Sequence, residues 1–132
     1  MRSASMTSVI SVLALVLSAC GASGSADDAG VEVRDAELVA VGAELYAKEC
    51  AVCHGADLRG TVSGPSHLSE VYEPGHHGDA AFALAVRRGV QPHHWSFGAM
   101  PPIEGLSNAD VAAIVAFVRD VQDREGFEPY PP

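Results

Sequence analysis

The sequence predicts a small all-α domain, and three observations carry that prediction. Apolar residues recur at three- and four-residue spacing in two stretches, 36–50 and 107–125, as they do on a helix with one buried face. A shorter stretch, 79–88, has helix punctuation at both ends, with Asp79 at its head, Arg87 and Arg88 in its last turn and Gly89 after them. Third, Cys50-Ala51-Val52-Cys53-His54 closes the first stretch with three side chains that favour metals and covalent chemistry. No internal repeat is visible, so one folded unit spanning 36–127 is expected. A chain of that length buries little surface and is marginal unless something adds to its core.

Ahead of that unit, residues 1–19 read as an export signal. Met1-Arg2 is a thin positive start, and Val9 to Leu17 is an apolar run too short to span a bilayer. The signal ends in Leu17-Ser18-Ala19-Cys20-Gly21, which resembles the lipobox of bacterial lipoproteins, where cleavage leaves the cysteine as a lipid-modified first residue. Cys20 is then the lipid anchor, and two acyl chains suffice for stable attachment where one is marginal. The alternative is ordinary cleavage a few residues on, among Ala22 and Ala26. Residues 20–35 are rich in Gly, Ser, Ala and Asp and read as a flexible tether. Residues 128–132 read as an extended, disordered tail. The formal charge of the chain is −9, and loss of Arg2 with the signal makes the mature balance more acidic still. That argues against a nucleic-acid partner and against adsorption on anionic lipid.

The first helix is expected from Ala36 to Cys50, with Leu38, Val41 and Leu45 as its apolar side. Gly42 costs the helix interior roughly 1 kcal/mol relative to alanine, which points to a packing reason. Residues 55–74 read as a loop, punctuated by Gly55, Gly60, Gly64 and Pro65. The middle helix runs from Asp79, its expected N-cap, to Arg88. The last helix starts at the N-cap Ser107, with Asp110 three residues on as a short capping box, and runs to about Glu125, where Gly126 stops it. Val111, Ile114, Val115, Val118 and Val121 form its apolar stripe, widened by Phe117. Arg119, Asp120, Asp123 and Arg124 are expected to face water.

A Cys-x-x-Cys-His run reads as a c-type haem attachment site. Thiols three positions apart reach both vinyl groups of one porphyrin, while the adjacent imidazole of His54 reaches its iron. A zinc site needs two more ligands at spacings the chain lacks, and a redox dithiol has no use for His54. Cysteine arithmetic agrees: of three cysteines, Cys20 takes the lipid, Cys50 and Cys53 take one covalent haem c, and none is left for a disulfide. That haem supplies the core the short chain lacks.

From here the sequence resembles the class I cytochromes c. Gly42, Tyr46 and Cys50 fall at the i, i+4, i+8 spacing of that family, whose glycine lets the last helix cross the first in contact. Ile114 and Phe117 match the apolar and aromatic residues that pack there. Pro65 and Leu68 look like the family's proline and leucine on the proximal haem face, the proline carbonyl accepting the Nδ1 hydrogen of the ligating histidine. Gly98-Ala99-Met100-Pro101-Pro102 resembles its methionine loop, making Met100 the expected sixth ligand, a soft thioether that raises the reduction potential. Pro101 and Pro102 stiffen that loop. The resemblance implies a cytochrome c fold wrapped around one haem, carrying single electrons between larger complexes. The acidic charge departs from the basic mitochondrial relatives and leaves the partner open.

Five further histidines, His67, His76, His77, His93 and His94, are rival sixth ligands that would give a bis-histidine haem. Their expected place is in solvated loops, with His93 and His94 the nearest competitors because they precede Met100. Trp95 either donates to a haem propionate or packs in the core. An enzyme or gas sensor needs an open sixth position, and no catalytic acid–base set is evident. The remaining reading is a tethered electron-entry subunit of an oxidase or dehydrogenase. The expected protein is therefore a monomeric electron carrier, not an enzyme, held on the outer, periplasmic side of the cell membrane and serving such a redox complex.

Overall fold

The computed structural model describes residues 35–129. The signal, most of the tether, Cys20 and the end of the tail lie outside them. The elements are α1 (Ala36–Glu49), α2 (Ala51–His54), a 3-10 turn (Glu70–Tyr72), α3 (Asp79–Arg88) and α4 (Asn108–Glu125). Among the described residues there is no strand, only three isolated bridges, so the fold is all-α.

Local chemistry explains where the helices begin and end. Asp35, placed in the tether by composition, is instead the N-cap of α1, its carboxylate accepting from the Glu37 and Leu38 amides at 2.9 and 3.2 Å. Helix α4 opens with a complete capping box: the Ser107 hydroxyl accepts from the Asp110 amide at 3.1 Å, and the Asp110 carboxylate from the Ser107 amide at 2.8 Å. Gly126, at φ 79°, ends it. Helix α3 has the expected span, but its N-cap is Gly78, which has no side chain to cap with. Asp79 is turned instead to Arg119, 2.8 Å away.

The crossing of α1 and α4 organises the domain. A Cβ on Gly42 would run into the Ala113 carbonyl oxygen and come within 2.9 Å of Phe117 Cβ, so only glycine permits this approach. Tyr46, one turn on, packs its ring against Phe117 at 5.4 Å. Around them Leu58, Leu68, Phe82, Val86, Val111, Ile114 and Val118 make the core. The face of α1 that is buried is thus the Gly42–Tyr46 face. Leu38 and Val41, expected on its buried side, are exposed, because the close contact, not the count of apolar residues, sets how the helix is turned.

Two further expectations are corrected. Arg119 does not face water: it is 2 % exposed, and its guanidinium donates to Asp79, to the Tyr72 and His77 carbonyls and to Gln122 Oε1 at 2.8, 2.5, 2.7 and 2.7 Å. With so many acceptors a cation can be buried inside a helix stripe. Glu128, assigned to the tail, is drawn into the domain. Its amide donates to Leu68 O at 2.7 Å, its carbonyl accepts from Glu70 N at 2.8 Å, and its carboxylate pairs with Arg59.

Candidate haem site

The site forms where α1 ends. Cys50 is the C-cap of α1, its amide still bonded to Tyr46 O at 2.9 Å, and α2 follows at once as a single turn. That turn puts Cys50, Cys53 and His54 together, and Gly55, at φ 79°, ends it. Both thiols are half-buried and free of any disulfide. Burial, with Glu49 and Cys53 adding to it, pushes the Cys50 thiol up to about 11, so it is neutral at neutral pH.

His54 is buried, and its Nδ1 lies 2.9 Å from the Pro65 carbonyl oxygen. A carbonyl can only accept, so Nδ1 carries the proton and Nε2 keeps its lone pair for a metal. Burial also holds His54 below the ordinary histidine value, against the pull of the Pro65 bond. The loop that delivers Pro65 is wedged against the cysteines: a Cβ on Gly64 would sit 2.9 Å from Cys53 O, and Gly60 N donates to His54 O at 2.8 Å. Leu68 is fully enclosed in the adjoining core.

Met100 is positioned by a different device. Helix α3 stops at Gly89, at φ 69°. Val90 and Met100 then exchange two backbone hydrogen bonds of 2.9 Å each, and Ile103 N donates to Val86 O at 2.8 Å. The loop between Val90 and Met100 is thereby pinned at both ends, with Met100 partly buried. Within it Trp95 stacks on Tyr72, 5.8 Å between centroids and 15° between planes.

The structure moves His67 from the solvated loop expected of it into the interior. It is buried, and its ring stacks on His54 at 4.1 Å and 18°. Tyr46, Tyr72 and Phe82 enclose it edge-on at 5.8, 5.1 and 5.5 Å. Its backbone is bonded on both sides, to Leu58 O at 2.8 Å and from Gln122 Nε2 at 2.6 Å. Burial first, then His54 and Arg119, hold it well below the usual histidine value, so it is a neutral ring. Its place between Pro65 and Leu68 was the signal that it belongs with the site.

The sequence profile of the cytochrome c family matches residues 39–122, and the chain belongs to that family. No match is found among curated proteins. Among solved structures, the crystal structure of cytochrome cL from the marine methylotrophic bacterium Methylophaga aminisulfidivorans is similar. It is 23% identical with a TM-score of 0.53, covering 74% of this chain and 71% of that one; the likeness is one of fold. The family carries a covalently bound c-type haem, and Cys50, Cys53 and His54 stand at its attachment positions. The donor set fits the group: two thiols on one turn, and an imidazole whose tautomer is already that of an iron ligand.

Proposed function

We infer that membership of the family makes this a haem protein of electron transfer. We propose, more specifically, that it is a non-enzymatic one-electron carrier with His54 and Met100 as axial iron ligands, tethered through Cys20 on the outer face of the cell membrane. The observation that carries the reading is the His54 Nδ1–Pro65 contact, which orients the imidazole and raises its basicity as a ligand. When bound, the haem supplies an iron that gains and loses one electron. The chain's part is to keep the ligands still while that charge changes. His54 is locked by Pro65 and stacked on His67, and Met100 is strapped to the end of α3 by its two bonds to Val90. A soft, neutral thioether favours the ferrous state, so this ligand pair sets a high potential.

The test is the absorption spectrum of the ferric protein. Wild type is expected to show the weak far-red sulfur-to-iron charge-transfer band, and Met100→Leu to lose it together with a fall in potential. A low-spin wild type without the band would overturn methionine ligation in favour of a histidine. A high-spin one would favour an open site and an enzyme or sensor. For the tether, Cys20→Ser is expected to move the protein from the membrane to the soluble fraction; an unchanged distribution refutes lipid anchoring. The partner proposed is a larger redox complex such as an oxidase or dehydrogenase, which a membrane-confined carrier meets at raised effective concentration.

A further inference from the structure

Four histidines that the haem site does not use come together from two loops. His76 and His77 precede α3, and His93 and His94 lie in the loop pinned by Val90 and Met100. His77 and His93 stack at 5.6 Å and 16°, His94 stands edge-on to His77 at 5.2 Å and to His76 at 5.1 Å, and His93 and His94 are 4.6 Å apart. One ring nitrogen from each of His76, His77 and His94 falls within 4.8 Å of the others. Nε2 of His77 lies 3.3 Å from Nε2 of His93.

The protonation of these rings favours a cation among them. His93 Nδ1 donates to the Gln91 carbonyl at 2.9 Å, so its Nε2 is a bare lone pair directed at His77. If His77 Nε2 donates to that lone pair, its Nδ1 is a bare acceptor; if not, two lone pairs oppose each other. In either case one nitrogen is left unsatisfied. Among the described residues, His77 Nδ1 is indeed the one buried side-chain nitrogen or oxygen without a hydrogen-bond partner. The spacing also suits a metal: ligand nitrogens about 2.0–2.1 Å from a tetrahedral ion stand roughly 3.3 Å apart.

The loops are held in place by the fold. Buried Arg119 donates to the His77 and Tyr72 carbonyls, Tyr72 places its ring edge-on to His77 at 5.7 Å, and Trp95, next to His94, stacks on Tyr72. Glu70 and Glu73 line a cleft with His76 and His94, adding negative charge beside those rings. We propose that His76, His77, His93 and His94 form a second metal centre, which binds one divalent transition-metal ion of the class that imidazole prefers, Cu2+ or Zn2+. From it, ring contacts lead inward: His77 to Tyr72 at 5.7 Å, Tyr72 to His67 at 5.1 Å and His67 to His54 at 4.1 Å. The second centre thus adjoins the haem ligand through packed rings, and it rests on the reading that Met100, not His93 or His94, is the sixth haem ligand.

The experiment uses untagged, haem-loaded protein stripped of loose metal with a chelator and titrated calorimetrically with Zn2+ and with Cu2+. The expected result is one ion per chain, with binding weakened more than about tenfold in His77→Ala/His93→Ala. Exposed His93 also allows the mild variant His93→Gln, which is expected to weaken binding with the haem spectrum and helical circular dichroism unchanged. Tighter Cu2+ binding, with nitrogen couplings from more than two imidazoles in the paramagnetic resonance spectrum, identifies a copper site. Tighter Zn2+ binding identifies a structural one. No saturable binding of either ion, or affinity unchanged in both variants, overturns the proposal. The far-red haem band, read in the same samples, reports the axial ligands separately.

Discussion

Gly42 shows how a single residue can reverse a general rule. In an exposed helix, glycine to alanine gains up to about 1 kcal/mol. Here the added methyl meets the Ala113 carbonyl, which belongs to α4 and cannot move alone. Gly42→Ala is expected to destabilise the haem-loaded protein by about 2 kcal/mol, seen as a lower midpoint in denaturant; a gain in stability would refute the tight crossing. Arg119 is the second such residue. Removing its guanidinium in Arg119→Met strands the Tyr72 and His77 carbonyls and Gln122, and about 3 kcal/mol should be lost. Lysine, with a compact ammonium in place of a fork, should restore only part of that.

At the scale of the element, α4 owes its start to the reciprocal Ser107–Asp110 cap. Ser107→Ala should cost about 1 kcal/mol in thermal or denaturant unfolding. The bonds to Ser107 lower the Asp110 pKa below its usual value. A carboxylate depressed on folding contributes stability that is complete above its unfolded pKa and lost as the pH falls through the folded one. The wild type is therefore expected to lose stability on acidification below the ordinary aspartate range, and Asp110→Asn to show a flatter acid limb. Parallel acid limbs in the two proteins would show that the cap carboxylate contributes nothing. The same logic of paired ends holds the methionine loop, where the Val90–Met100 bridge closes a segment that has no helix or strand of its own.

For the whole molecule, the core of a domain this small is completed by the group it attaches. Replacing both thiols, Cys50→Ala/Cys53→Ala, is expected to abolish covalent haem retention in denaturing gels and to lower the thermal midpoint markedly. Retention of covalent haem would remove the two cysteines from their assigned role. The acidic balance of −9 also predicts that encounters with an oppositely charged redox partner slow as salt rises.

What the sequence determined by itself was everything carried by local rules. The helix spans follow from caps and periodicity, and the haem pentapeptide and the glycine at the crossing are spacings within one or two turns. Those signals persist because capping, turn geometry and i, i+4 neighbourhood depend on residues adjacent in the chain. The rest depended on contacts between distant segments. Arg119 reads as solvent-facing until the Tyr72 and His77 carbonyls arrive from another loop to receive it. His67 reads as a loop histidine until Tyr46, Tyr72 and Phe82 close around it, and Leu38 and Val41 read as core until Gly42 sets the face of α1. The His76-His77 and His93-His94 pairs, seventeen positions apart, form a cluster only because the α3 loop and the methionine loop are folded side by side. Burial, pairing and metal-binding geometry belong to surroundings that the chain builds only on folding, so the tertiary structure alone could decide them.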